Sequence, residues 1–562
     1  MTTKWIVSDV PAVEKIDEIT NATGVNRIVS AILAVRGFDA QSAKAYIDRD
    51  MSGIYDPFLI KDMDKAVERI NKAISSKEKM TVFGDYDADG VTSCALLVSC
   101  IEELGGIVDY YIPDRETEGY GVSRASVDII KERNTSLIIT VDCGITAVEE
   151  CEYARGLGID MIITDHHECS STVPDAVAVI DSKQENCTYP YKYLAGVGVA
   201  LKVAQALLKG KYTDSQVLEK YSELAMIGSV ADIVPLCDEN RIICSAGLEK
   251  IKHTTNFGIK ALLDVSGIEN DSITATKIGF ILAPKINAVG RLENASRAIA
   301  LFLAKSYDEA FAIASEMNEY NIKRQKIEAE ILEEAEQMLK KEGNNDDVIV
   351  LCNKDWHHGV VGIVSSRLSK KYMKPCILIS SSPDGLYKGS GRSVNGFSIY
   401  DALEYCKSEL VSFGGHELAV GLTLEKDKTD AFRKKINEYA EKNFSEEMSV
   451  STIVADCEMR GRHINMAVAE ELQLMQPFGT GNSQPVFFIN NMTVQRVMKI
   501  GSEKQHLKLQ LLKDGISVGA VAFGFGTDSR IAFNDVISVM ACLDINEYRG
   551  TRSVQLRIID IK

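Results

Sequence analysis

The sequence predicts two α/β domains joined by a long helix and followed by an all-β domain. Three observations carry that reading. Over residues 80–180, short apolar β-type runs alternate with helical stretches, the pattern of a parallel, doubly wound sheet. A second α/β pattern begins at residue 347, after an unbroken helical pattern over 306–343. From 451 onward the texture turns to short alternating segments punctuated by Gly, Asn and Asp.

Taken in order, IKDMDKAVERINKAISSK (60–77) has apolar spacing near 3.6 and predicts a helix. MTVFGDYDADG (80–90) is a β-rich run ending in Gly and Asp, and VTSCALLVSCIEELG (91–105) is helical again. Further β-runs follow at 108–112, 136–142, 160–164 and 176–180. GVGVALKVAQALL (196–208) and the run around 215–229 predict helices. In 306–343 the residues Ile322, Ile327, Ile331, Ala335 and Met338 fall on one stripe, read as a connector between domains, with a helical hairpin as the alternative. The second α/β pattern has strands at DVIVLC (347–352), PCILIS (375–380) and LYKGSG (386–391). Segments such as HLKLQLL, ISVGAVAF and SVQLRIID then predict five or six strands in an OB-like barrel.

At roughly 150 residues per domain, 562 residues suggest three or four domains. The expected boundaries are 1–305 for the first α/β domain with an N-terminal helical segment, 306–343 for the long helix, 344–448 for the second α/β domain and 449–562 for the barrel. Apolar residues at 45% and charged residues at 25% are ordinary for a globular chain and exclude disorder throughout. No apolar run approaches the ~20 residues that span a bilayer, and the start, MTTKWIVSDVPAVEKIDEIT, lacks a signal pattern. The expectation is a cytoplasmic protein without a membrane partner. Thirteen scattered cysteines with no Cys-x-x-Cys argue against a zinc ribbon, a redox pair or a disulfide framework. Against 80 acidic residues stand 63 basic ones, a net of −17, so charge alone predicts no phosphate-binding surface. The charge is uneven: 451–562 carries 12 basic and 11 acidic residues, leaving −18 on the rest. A carboxylate-rich body can bind metal ions, and a metal can then bind phosphate.

Four motifs carry the chemistry. GDYDADG (84–90) places Asp85, Asp87 and Asp89 directly after a β-run. If the strand continues through them, all three face one way, and their repulsion is relieved by a cation. The alternative is an Asx-rich turn with Asp89 as helix N-cap. An EF-hand-type calcium loop is excluded because no Glu stands at loop position 12. VDCGI (141–145) ends an apolar strand on Asp142, and TDHHE (164–168) places His166 and His167 at another strand end. SVADIVPL (229–236) brings Asp232 after an apolar helix. In an open α/β sheet the carboxyl ends of the strands line the ligand crevice, so these groups can meet. Carboxylates with one imidazole suit Mn²⁺ or Mg²⁺, and two such ions can share a bridging carboxylate.

These four motifs resemble those of the DHH phosphoesterase superfamily, named for Asp-His-His, here Asp165, His166 and His167. The flanking blocks IPDRETEGYGV (112–122), LAGVGVALKVAQAL (194–207), PKINAVGRLENA (284–295), HHGVVGIVSSRL (357–368), GSGRS (389–393) and SFGGHELAVG (412–421) extend the resemblance to its single-strand-specific exonucleases, over nearly the whole chain. The resemblance implies a DHH catalytic domain, a DHHA1 substrate-binding domain and a nucleic-acid-binding OB-like domain. It implies two divalent metal ions, Mn²⁺ ahead of Mg²⁺. Asp87 and Asp142 would hold one, helped by Asp85; Asp89, Asp142, His166 and Asp232 would hold the other, with Asp142 bridging. His167 would be the catalytic imidazole. Phe83 departs from the pattern, since many relatives carry a ligand His there. The chain also reads IDSKQ (180–184) where relatives often carry Asn-Pro.

The implied activity is 5′→3′ degradation of single-stranded DNA to mononucleotides in DNA repair and recombination. The alternative is a DHH-type phosphodiesterase acting on short oligonucleotides or cyclic dinucleotides. A 5′-phosphate pocket would comprise Arg115, Arg291, Ser390 and Arg392, with His416 nearby. Single-stranded DNA is the implied substrate, and single-strand-binding protein and a RecQ-like helicase are the implied partners. Lys504, Lys508, Arg549 and Arg552 suit a strand-binding barrel surface.

Overall fold

The structure, a computed structural model, describes residues 3–115, 118–343, 346–382, 385–527, 531–548 and 550–562. The chain forms two compact units. The larger comprises Trp5–Ala283, Ile299–Ala310 and Ile453–Lys562, and the smaller is built chiefly of Pro284–Ala298 and Phe311–Thr452.

At the centre of the larger unit lies a five-stranded parallel sheet. Its strands Ile107–Tyr111, Lys79–Gly84, Leu137–Val141, Asp160–Thr164 and Ala178–Ile180 lie side by side in that order. In chain order this is 2-1-3-4-5, a doubly wound topology whose switch point falls between Lys79–Gly84 and Leu137–Val141. Every residue of Leu137–Val141 is buried, as a strand covered on both faces requires. One face packs Phe83, Ile138 and Met161 with Val127, Ile130, Cys151 and Ala154, from the helices Arg124–Glu132 and Val148–Gly156. The other side carries Met63–Ser75, Ala88–Glu103 and Gly196–Leu208. In the first of these, Met63, Ala66, Ile70 and Ala73 make the buried stripe read from the sequence.

The register of this sheet sets up the site. Gly84, Val141, Thr164 and Ile180 pair successively across four strands, so the strands end level. The next residues, Asp85, Asp142, Asp165 and Asp181, therefore form a row of carboxylates along one rim.

Also in the larger unit, Phe487–Ile500, His506–Lys513, Ile516–Ala522, Val536–Tyr548 and Thr551–Ile561 close into a five-stranded barrel. The spatial order is first, second, third, fifth, fourth and back to the first, with the third and fifth parallel. That is the OB-like architecture expected. The sequence segments VFFI and MTVQRVMKI are one strand, bent by irregular register beyond Ile489 and Val494. Barrel residues such as Ile489, Leu509 and Leu556 share a core with Ile19, Ile32 and Leu33 of the N-terminal helices.

The smaller unit holds a mixed sheet ordered Ser412–His416, Ala419–Leu424, Tyr387–Arg392, Cys376–Ser381 and Ile349–Cys352. The helix Tyr307–Glu342 is continuous over 36 residues, which excludes the hairpin. Its buried stripe runs through Ile331, Ala335 and Leu339. Ile322, expected on that stripe, is 56% exposed because it sits five residues before Ile327, off the i, i+4 row.

Candidate metal centre

The strand Lys79–Gly84 stops before the first aspartate, so the three carboxylates of GDYDADG do not share a strand face. A sharp strand-to-helix turn brings them together instead. Asp87, not Asp89, is the N-cap of Ala88–Glu103, accepting from the amides of Asp89 (2.8 Å) and Gly90 (3.1 Å). Asp89 lies in the first turn of that helix and reaches to another. Its Oδ2 accepts from Gly196 N at 2.6 Å and its Oδ1 from Val197 N at 2.8 Å, at the N-terminus of Gly196–Leu208. Two backbone donors and the helix dipole thus fix this carboxylate.

Asp142 follows Val141 with φ +59°, a left-handed conformation in which Asp is tolerated. Its Oδ1 lies 3.0 Å from His166 Nε2, while that nitrogen is 3.7 Å from Asp232 Oδ2 and 3.9 Å from Asp89 Oδ2. Ligand atoms of Asp85, Asp87 and Asp142 lie within 4.8 Å of one another, as do those of Asp89, His166 and Asp232. Asp142, His166 and His167 form a third such group. Each triplet could hold one ion, and Asp142 adjoins both.

The electrostatics fit cations. Burial, and then the charges of neighbouring carboxylates, push Asp85, Asp89 and Asp142 well above the usual carboxylate range, and Asp232 to about 7. Two buried polar atoms, Asp85 Oδ1 and His166 Nε2, have no hydrogen-bond partner. Burial, with the adjacent His167, lowers His166 to about 3, which keeps the ring neutral as a ligand must be. The backbone carbonyl of Leu194 works the other way, favouring a proton on the ring, but does not outweigh burial. An unpartnered imidazole nitrogen facing clustered carboxylates is a donor set for hard-to-intermediate divalent ions.

The two adjacent histidines differ in environment. Asp165 Oδ1 accepts from the backbone amide of His166 (2.7 Å) and faces His167 Nδ1 at 2.7 Å, while Oδ2 accepts from Ile145 N at 2.9 Å. Burial works against charge on His167, but the Asp165 carboxylate outweighs it and lifts the imidazole to about 9. Asp165 therefore orients the pair, a task the four motifs did not assign it.

Other groups were not evident from sequence. A Cβ on Gly196 would fall 2.5 Å from Asp142 Cβ and 2.6 Å from its Oδ1. A Cβ on Gly228 would fall 2.8 Å from Asp89 Oδ1. Both glycines let backbone approach these carboxylates. Asp181, from the unexplained IDSKQ, completes the rim row; it is wholly buried, and burial raises its carboxyl to about 7. Phe83 stacks on Tyr111 in the core beneath the sheet and is fully buried.

Arg115 lies over the Tyr86 ring, 4.9 Å from its centroid, and its charge reaches Asp85. In the smaller unit, Ser390 and Arg392 share one face of their strand and approach Gly362 of the helix His358–Tyr372. Arg392 Nη1 lies 3.3 Å from Ser390 Oγ. Arg291 Nη1 donates to the Gly359 carbonyl in the same helix at 2.8 Å. His416 is exposed and lies two strands from Arg392, since it pairs in register with Ala419 and Ala419 pairs with that arginine. On the barrel Lys504 and Lys508 are exposed, Arg552 pairs with Glu470 at 2.9 Å, and Arg549 lies outside the described residues.

Residues 79–229 match the DHH family N-terminal domain and residues 345–442 the DHHA1 domain, which places the protein among DHH/DHHA1 proteins. Residues 455–560 match the RecJ OB domain. The single-stranded-DNA-specific exonuclease RecJ of Bacillus subtilis (strain 168) is 38% identical over 98% of this chain and 70% of its own. Crystal structures of RecJ from Thermus thermophilus in complex with Mn²⁺ and with Mg²⁺ superpose with TM-scores of 0.86 and 0.80. Their identities are 27% and 25%, and each comparison covers 100% of this chain, with 79% and 78% of theirs. The chain belongs to the RecJ family. No helix among the described residues is long and apolar enough to cross a membrane.

Proposed function

We propose that this protein hydrolyses single-stranded DNA from the 5′ end to mononucleotides, in repair and recombination, using two divalent ions with Mn²⁺ preferred. The observation that carries the proposal is the pair of carboxylate clusters meeting at Asp142, with His166 Nε2 unpartnered between Asp142 and Asp232.

In this reading Asp85, Asp87 and Asp142 hold one ion, and Asp89, Asp142, His166 and Asp232 the other. Bound there, the ions would neutralise charge developing on phosphoryl oxygens and activate water for in-line attack. His167, kept protonated by Asp165, donates to the leaving oxygen. Arg115, beside Asp85, orients a phosphoryl oxygen. Arg291, Ser390 and Arg392 grip the terminal 5′-phosphate, since a guanidinium binds phosphate bidentately. His416 is assigned an outer strand contact and no more. The barrel carries the strand beyond the cleavage point, a task that short oligonucleotides or cyclic dinucleotides would leave idle. Single-strand-binding protein and a RecQ-like helicase are the partners this activity would have, in the cytoplasm.

The test is a time course on single-stranded DNA labelled at either end, with Mn²⁺, Mg²⁺ or chelator. Mononucleotides leaving from the 5′ end only when metal is present support the reading. Metal-independent or internal cleavage contradicts it.

A further inference from the structure

Asp232 is held differently from the other carboxylates. It caps the C-terminus of Asp214–Ala231, and the chain then leaves the sheet rim through Ile233, at φ +63°, toward Pro235 and Leu236. Nothing in the parallel sheet continues this segment. Its support comes from the barrel domain and from a run of buried polar residues just downstream.

The loop preceding the first long barrel strand meets Pro235 and Leu236 directly. Leu236 N donates to Thr480 O at 2.7 Å. A Cβ on Gly479 would fall 2.7 Å from Leu236 Cδ1, and one on Gly481 would fall 3.0 Å from Pro235 Cβ. The two glycines thus permit a contact that side chains would block.

Downstream, Glu239, Asn240 and Arg241 are consecutive, polar and almost wholly buried, at 0%, 0% and 2% exposure. Three such residues in one helical turn demand partners, and each finds a different set. Glu239 pairs with Lys202 Nζ at 2.7 Å, on the helix whose N-terminus holds Asp89. Asn240 Nδ2 donates to the carbonyls of Tyr193 (2.6 Å) and Pro235 (3.1 Å), bracing the loop itself. Arg241 donates to the carbonyls of Tyr46 (2.7 Å), Leu474 (3.0 Å) and Gln476 (3.1 Å), so it ties this helix to the N-terminal helices and the barrel domain. Solvation explains none of these placements.

We infer that Arg241 and the Gly479–Gly481 loop are positioning elements for the Asp232 metal ligand, so that the barrel domain sets the affinity of the second ion as well as carrying DNA. The inference rests on the metal reading proposed above. Groups that orient a metal ligand without touching the ion commonly change affinity by about 10- to 100-fold.

The experiment is Mn²⁺ titration of the full-length protein without DNA, following the free-ion electron paramagnetic resonance signal. Wild type, Arg241→Met and Gly479→Val are compared, with circular dichroism reporting the fold. In both variants the dissociation constant of one of two sites rises about 10-fold or more, the other is unchanged, and nuclease activity recovers at saturating Mn²⁺. Folded variants with two wild-type constants overturn the inference and leave the metal reading standing. A wild type that binds no Mn²⁺ overturns both. Should Arg241→Met fail to fold, Gly479→Val decides.

Discussion

The Nδ1 of His167 lies 2.7 Å from the Oδ1 of Asp165. The contact makes His167 a charged donor near 9, while burial, with that neighbouring charge, keeps His166 a neutral ligand near 3. Because the folded value of His167 is raised above the ordinary 6.5, its ionised contact contributes fully below pH 6.5 and is lost as pH rises toward 9. Thermal melts of the chelator-treated protein at pH 6, 7.5 and 9 should show stability falling over that interval, and His167→Gln should flatten the fall. An identical slope in the variant would remove the charged role.

The crowded carboxylates oppose folding when no cation is present. Asp142→Asn keeps the shape and tolerates the left-handed backbone, but removes one negative charge from the rim. The metal-free variant should melt at or above the wild-type temperature. Saturating Mn²⁺ should raise the melting point of the wild type, by about 2.7 kcal/mol of stability at a hundred times the dissociation constant. It should raise that of the variant much less. Calorimetry with and without Mn²⁺ checks both signs.

Gly196→Ala places a methyl where Asp142 stands. A displacement near 1 Å at a reacting centre costs about 100-fold in rate. The expected result is a kcat lowered by about that factor, with affinity for single-stranded DNA nearly kept. A wild-type kcat would mean that Asp142 need not be held where it is.

Arg392 and Ser390 face the same helix as the Arg291 anchor. Arg392→Ala should reduce the rate ratio between 5′-phosphorylated and 5′-hydroxyl strands by about 10-fold, since a charge-assisted contact of about 1.5 kcal/mol is lost. An unchanged ratio would place the phosphate elsewhere.

Much of this was legible because parallel strands leave a plain signature: solid apolar runs, four of the five followed directly by Asp. The level register that turns Asp85, Asp142, Asp165 and Asp181 into a row was not, because it depends on pairing between distant segments. The exchange of roles between Asp87 and Asp89 turns on where the strand stops, a boundary that alternating Asp residues conceal. Nothing local singles out Gly196 and Gly228, since only the opposing carboxylates explain them. Nothing local in the sequence marks Glu239, Asn240 and Arg241 as buried, because their partners come from residues as remote as Tyr46 and Gln476. The barrel was visible from its alternation, whereas its contact with Leu236 was not.

Anomalous diffraction at the manganese edge, from crystals soaked in Mn²⁺, tests the central claim most directly. The account predicts two peaks about 4 Å apart, one among Asp85, Asp87 and Asp142, the other among Asp89, Asp142, His166 and Asp232. A single peak away from Asp142, or none at full soaking, would contradict it.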